Sequence, residues 1–570
     1  MRIMLLRISI MMVVLFAAEG RLFAQPVAPD AFLSALNQAQ EKSRASEWPA
    51  AASSWERVVA MNPQVAGFWY ALGTAQRNAG EYRKAVPSLE RSLELGAGRL
   101  ATVALDIARS YAVLKDKEMT LKWIERSLEL GLRSRESLRS EATFAFIADD
   151  NRFKSFAGEV DTGRMSRTDG WRYDLTLLET EIKRMHYRPF RKISQAQYET
   201  EFQRLRRDVP DLTDNQIAAR IMRLMAMIGD GHTGLFPDLI SAWNGVPMQF
   251  ELFQEGLFIK TADPKYAELV GTQVLRVGEN TPEQLLKAIG PVVSKDSEQA
   301  VMRAFGDYIR YPQLLNGLGL QPSSDRLVLT VRAADGKTRT AEVSVAPRDP
   351  NFSRIAGHPN WVEVFPNATQ PMPLYLKDRR TFYWFETLPG QPKTLYFQFN
   401  LVLNTQTETL AQFLERLFKF IDDNGIEKLI IDMRWNNGGN TLLMQPLING
   451  IIRREKIDRV GRLFVIVGRY TFSAAINVAA SLEANTNAIL VGEPTPTGPN
   501  FIAESNISAL PFSRLRVSIS DIYWQNTWTT DTRTWLAPLL YVPVTFEAYK
   551  TKRDSALEAI LAYPRTEAGN

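Results

Sequence analysis

Lys428-Leu-Ile-Ile-Asp-Met-Arg-Trp-Asn-Asn-Gly-Gly-Asn440 carries the reading of the fold. Lys428 to Met433 is a short apolar run of the kind that forms a buried strand, and two glycines follow where the chain must turn. Upstream, Thr409 to Asp422 places Leu410, Phe413, Leu414, Leu417, Phe418 and Ile421 on one face of a helix, which Asn424-Gly425 stops. Downstream come a helix from about Thr441, a strand Leu463 to Val467, a helix from Ala474 and a strand Ala488 to Val491. This β-α-β-α-β order predicts a layered α/β domain.

The segments ahead of it read differently. Arg326 to Arg332 and Thr338 to Val345 flank Asp335-Gly336, a strong hairpin signal, while Thr272 to Val277 precedes a helix-like Pro282 to Ile289. Strand, short helix and terminal hairpin over 240–347 resemble a PDZ domain. Gly317-Leu-Gly-Leu320 is similar to a PDZ carboxylate loop but lies between other elements, so its glycines read as surface-loop glycines. From Trp171 to about Ala226 the pattern is helical, with capping boxes at Ser194-x-x-Gln197 and Thr213-x-x-Gln216. Further upstream, Glu-Arg-Ser-Leu-Glu-Leu-Gly occurs at 90–96 and again at 125–131, with a fainter copy from Glu56. Trp69, Leu72, Gly73, Gly80, Tyr82 and Ala85 sit at the offsets of a tetratricopeptide repeat, and residues 35–135 resemble two to three such repeats. Small residues at Gly73, Ala85 and Ala108 would let paired helices approach closely, and such arrays present concave surfaces to protein partners.

Composition bounds the rest. The 570 residues are 45% hydrophobic and 23% charged, the balance of a globular, multidomain chain. Lys plus Arg number 68 against 63 Asp plus Glu, interspersed, which gives nucleic-acid binding no support. There is no cysteine, which removes disulfides, thiolate metal sites and cysteine nucleophiles together. The three histidines, His186, His232 and His358, leave little for a metal site, and neither metal nor cofactor is expected. Arg2 and Arg7 precede an apolar stretch from Ile8 to Ala18, with Ala24 before Gln25 at a plausible cleavage site. Residues 1–24 thus read as a signal peptide, too short in its apolar part to span a bilayer, and the mature protein is expected in the periplasm or secreted, with no transmembrane segment.

Three motifs carry chemistry. In Asp432–Asn440, Gly438 and Gly439 permit a turn that can aim peptide N–H groups at an oxyanion. In Gly468-Arg-Tyr-Thr-Phe-Ser-Ala-Ala475, Ser473 falls at a helix N-terminus, where the N–H of Ala474 and the helix dipole favour negative charge; an ordinary N-cap serine is the plainer reading. Gly229-Asp-Gly-His-Thr-Gly234 sets His232 in a glycine-rich turn expected to expose it.

Asp-x-Arg-x-Asn-x-Gly-Gly, Thr-x-Ser-Ala-Ala, Val-Gly-Glu-Pro-Thr495 and Asp-Gly-His-Thr together resemble the tail-specific, C-terminal-processing serine protease family, in its tricorn core and retinoid-binding-protein-like branch. The resemblance spans about 166–562: a helical cap with the histidine motif (166–235), the PDZ-like domain and a catalytic core (375–562). It implies a multidomain α+β protein, with TPR-like repeats ahead of a crotonase- or ClpP-like α/β core. It implies that Ser473 attacks a peptide carbonyl, that Ala474 and the Gly438-Gly439 turn form the oxyanion hole, and that His232 is the general base. An acidic residue downstream completes the site, with Asp531 the candidate and Asp230 and Glu493 its competitors. The processing branch uses a lysine base shortly after Gly-Glu-Pro-Thr, but no lysine occurs from 457 to 549, which leaves His232. The reading that follows is an exported serine endopeptidase acting on peptides or unfolded proteins, its substrates selected through the PDZ-like and TPR-like modules. The alternatives are a non-catalytic adaptor on a degenerate protease core, and a small-molecule hydrolase on the same fold.

Overall fold

A computed structural model describes residues 29–158, 160–365 and 371–564. The signal-segment reading of residues 1–24 lies outside them. Among the described residues, no helix is long and apolar enough to cross a membrane. The chain divides into two compact units, one ending at Val160 and the other starting at Asp161.

The first unit is helical. Pro29–Arg44, Trp48–Met61, Ala66–Asn78, Tyr82–Glu94, Leu100–Val113 and Lys117–Glu129 pack each against its neighbour in the chain. The duplicated heptapeptide has a physical explanation here. Ser92 and Ser127, both fully buried, donate to the carbonyls of Ala66 and Ala101, the equivalent starts of the preceding helices, at 3.0 and 2.7 Å. Gly96 and Gly131 then end their helices at φ +81° and +90°, with the bonds Ala97 N–H to Ser92 and Leu132 N–H to Ser127 closing a Schellman turn at each. A Cβ on Gly73 would come 2.7 Å from Leu89, so close helix approach needs glycine there. The unit extends past the repeats through Glu136–Ser140 and Asn151–Phe156, over a core of Phe144, Ile147 and Phe153.

The second unit holds a helical layer, two sheets and a ribbon. Helices Gln195–Asp208 and Asp214–Ala226 open with fully formed capping boxes at Ser194 and Thr213, as the sequence predicts. An antiparallel sheet runs β1 (Met248–Phe253), β2 (Gly256–Ala262), β3 (Gln273–Val277), β4 (Arg326–Arg332) and β5 (Thr338–Ser344), and β6 (Val362–Glu363) pairs with β2. The Asp335-Gly336 hairpin joins β4 to β5 in the expected place. Gly317 is no surface-loop glycine, however. It ends helix Pro312–Gly317, and a Cβ there would lie 2.4 Å from the Asn215 carbonyl on the adjacent helix.

The second sheet contains β7 (Tyr383–Leu388), β8 (Gln391–Phe399), β9 (Lys428–Asp432), β10 (Leu463–Val467), β11 (Ile489–Gly492) and, after β12 and β13, β14 (Leu540–Tyr541). Its order is β14-β11-β10-β9-β8-β7, parallel from β8 through β14 with β7 antiparallel at one edge. Leu429, Ile431, Val465 and Val467 face one core with helices Leu410–Asp423 and Ala474–Asn485, while Ile430, Phe464 and Ile466 face the other. Apolar strands buried on both faces are what a parallel sheet requires. A long antiparallel ribbon, β12 (Asn500–Ala509) with β13 (Arg516–Gln525), reaches across to the helical layer. Nothing in the sequence reading anticipated it.

Candidate active site

Two glycine-bearing turns meet at the ends of β9 and β10. The Thr471 hydroxyl accepts from Gly468 N–H at 3.0 Å and donates to the Met433 carbonyl at 2.9 Å, while Phe472 N–H donates to the Asn436 carbonyl at 3.0 Å. Asn436, fully buried, is fixed by its own bond to the Phe399 carbonyl. Asp432 and Arg434 serve as a buried clamp. Arg434 takes both oxygens of Asp554 at 3.0 and 2.9 Å and also Asp432, which Tyr396 holds from the other side at 2.6 Å. The polar members of this motif are therefore structural, and they hold the turn rigid.

Ser473 is the strained residue of the site. It has φ 57° and ψ −128°, a conformation that side-chain-bearing residues rarely adopt, immediately before helix Ala474–Asn485. Its hydroxyl makes no capping bond, so the N-cap reading fails here. A Cβ on Gly438 would lie 2.6 Å from the Ser473 Cβ and 3.0 Å from Ala474 N, which puts the glycine turn directly against the serine. Gly438 and Gly439 have φ +109° and +136°. The Gly438 N–H is already engaged by Asn436 Oδ1 at 3.0 Å. Ala474, first in its helix, and Gly439 have no acceptor for their N–H groups among the described residues. Of the three expected oxyanion donors, these two are free to meet a ligand.

His232 stands differently from its expectation. The turn that holds it is buried, not exposed: His232 is 6% accessible, Asp230 1% and Thr233 0%. The ribbon covers it. Gly234 and Ser518 exchange backbone bonds at 3.0 and 2.9 Å, and the Ser518 hydroxyl donates to the His232 carbonyl at 2.7 Å. The imidazole stacks on Phe472, the residue before Ser473, at 4.3 Å between centroids and 13° between planes, with Phe501 on another side at 5.8 Å. Neither ring nitrogen has a hydrogen-bond partner among the described residues. Burial, with Arg303 adding to it against Asp230, pushes the ring down to about 4, so it is neutral at pH 7.

None of the three carboxylates considered for the third role bonds to that ring. Asp531 gives its oxygens to Arg533 and Thr527, and the Arg533 guanidinium holds its carboxyl at about 2. Glu493 pairs with Arg469 at 2.7 Å. Asp230 pairs at 2.8 Å with Nε2 of His186, and both side chains are buried. His186 is thus held in a buried hydrogen-bonded pair with Asp230. The Asp230 carboxylate also accepts from the His232 and Thr233 N–H groups and shapes their turn.

A carboxyl that sequence reasoning passed over also holds this turn. Asp296, half-buried between helices Pro282–Ile289 and Gln299–Tyr308, accepts from Gly231 N–H at 3.1 Å and from the Thr497 hydroxyl. It therefore ties the histidine turn to the loop after Gly-Glu-Pro-Thr495. Burial, then the nearby Asp230, pushes it up to about 7. No motif marks it, since it is a lone acidic residue in the loop Ser294-Lys-Asp-Ser297.

No family model matches the chain, and no curated protein matches it. Solved structures do. Mature CPAF complexed with lactacystin is 13% identical over 69% of this chain and 97% of that one, with a TM-score of 0.48. The photosystem II D1 C-terminal processing protease is 14% identical over 70% and 96%, with a TM-score of 0.34. MamA is 15% identical over 23% and 74%, with a TM-score of 0.20. By structure the chain is similar to CPAF and to a C-terminal processing protease, and over a smaller part to MamA.

Proposed function

We propose that this protein is a serine-type peptidase with Ser473 as its nucleophile. The observation that carries this is the strained backbone of Ser473 at a helix N-terminus, its hydroxyl uncommitted, against a glycine turn with unused N–H groups. Such strain persists only where the surroundings impose it, and it concentrates at sites of function. The Ser473 oxygen adds to the peptide carbonyl carbon while its proton passes to the neutral His232 ring. The developing oxyanion is met by the Ala474 and Gly439 N–H groups. His232 then returns the proton to the leaving amine, and water attacks the acyl-enzyme by the reverse path. For the transfer to occur, a His232 ring nitrogen must accept a hydrogen bond from Ser473 Oγ, a bond absent from the described conformation. Export to the periplasm or beyond, and substrate selection by the PDZ-like and TPR-like modules, belong to the same proposal.

Ser473→Ala tests it. The variant should fold, melt within a few degrees of the wild type and hydrolyse no peptide; sustained turnover by the folded variant would refute the assignment. The unpartnered His232 ring favours a second reading, a binding protein that has kept a protease core without its activity. A fluorophosphonate probe separates the two, because only an activated serine is labelled.

A further inference from the structure

Arg303 lies on helix Gln299–Tyr308, and its guanidinium carbon sits 4.2 Å from the centroid of the Phe472 ring. Its Nη2 donates to Asn437 Oδ1. One side chain therefore touches the residue before Ser473 and the residue before Gly438. The other arginines of these two turns are neutralised within the protein: Arg434 by Asp432 and Asp554, and Arg469 by Glu493. Arg303 is not. Asp307, one helical turn away, is committed to Arg354 at 2.6 Å, and Arg303 forms no ion pair among the described residues. Its Nε is shielded from solvent and has no acceptor. Burial, then Arg354, lowers it to about 10, which still leaves it fully charged at neutral pH.

An arginine held partly out of water without a counter-charge is costly to the free protein. The cost disappears when a carboxylate arrives, and the guanidinium fork suits that group best. We propose that Arg303 is a specificity residue of the Ser473 site and that it selects peptides with an Asp or Glu side chain within two residues of the scissile bond. The reach follows from its contacts with both turns and from the roughly 3.3 Å rise per residue of an extended chain. This inference rests on the reading of Ser473 as nucleophile.

The test uses end-blocked, otherwise uncharged peptides in which one Asp or its Asn counterpart occupies each of the two positions on either side of the cleaved bond. Hydrolysis (kcat/KM) is measured with the wild type, and affinity (Kd) with Ser473→Ala. At one position the Asp peptide should be preferred by about ten- to a hundredfold, the range of a hydrogen-bonded charge pair. Arg303→Gln should bring that ratio to about one. Arg303→Glu should reverse it, favouring a Lys over a Gln peptide, which a merely structural role would not do. Arg303→Lys should retain part of the preference and covers the case in which Arg303→Gln does not fold. Equal handling of Asp and Asn by the wild type at every position, or a preference that survives in folded Arg303→Gln, would overturn the proposal. Hydrolysis by Ser473→Ala would instead refute the nucleophile, while the Kd ratios would still decide on Arg303.

Discussion

At Ser473 the backbone is held where the residue's own sterics resist it, and Gly438 is what makes room. A methyl group on Gly438 would meet the Ser473 Cβ at 2.6 Å and the Phe472 carbonyl oxygen at 2.9 Å, at a φ of +109°. These are backbone and Cβ contacts, which no side-chain rotation relieves. Gly438→Ala should therefore cost about 1–3 kcal/mol of stability. It should cost activity far more, because both oxyanion donors shift with the turn. Thermal melts beside peptide hydrolysis check this, and a Gly438→Ala protein with wild-type turnover would show that the turn takes no part in the reaction.

Among the elements, the β12–β13 ribbon and the loop carrying Asp296 decide how the histidine turn is held. Asp296 is protonated more readily in the folded protein, at about 7, than as a free side chain near 3.8. Between those values the folded state binds the extra proton, so stability from this group falls as pH rises from about 4 to 7 and is flat above. Asp296→Asn is neutral throughout. The melting temperature of the variant should pull ahead of the wild type's across that window and stay ahead at pH 8; parallel curves would show that Asp296 does not titrate there. The sheet elements were legible in the sequence because their signals are local: apolar runs for β9, β10 and β11, and an Asp-Gly turn between β4 and β5. The ribbon was not. Glu504-Ser-Asn506 interrupts any alternation in β12, and Glu504 itself takes φ +72°. For the same reason the burial of His232 was illegible. Its glycines suggest exposure, and the cover comes from Ser518, Phe472 and Phe501, more than two hundred residues away in the chain. The glycine turn and Ser473 stand out in the sequence as local motifs, whereas Asp296 depends on a fold-level meeting of Gly231 and Thr497.

Over the whole molecule, the chain comprises a helical unit and a larger unit of helices and sheets. Every candidate reacting group lies in the second unit, from His232 to Ser473. The central claim is that a histidine 241 positions before the serine accepts its proton, although its ring nitrogens make no hydrogen bond in the described conformation. A base must be neutral to act, and burial keeps this one neutral down to about pH 4 instead of the usual 6.5. The decisive measurement is kcat/KM against pH on one peptide for the wild type and for His232→Gln. The account predicts a wild-type acid limb falling well below pH 6.5, toward 4. It also predicts a loss of several orders of magnitude in His232→Gln, with that limb gone. A His232→Gln protein that keeps most of its activity and an unchanged acid limb would contradict it.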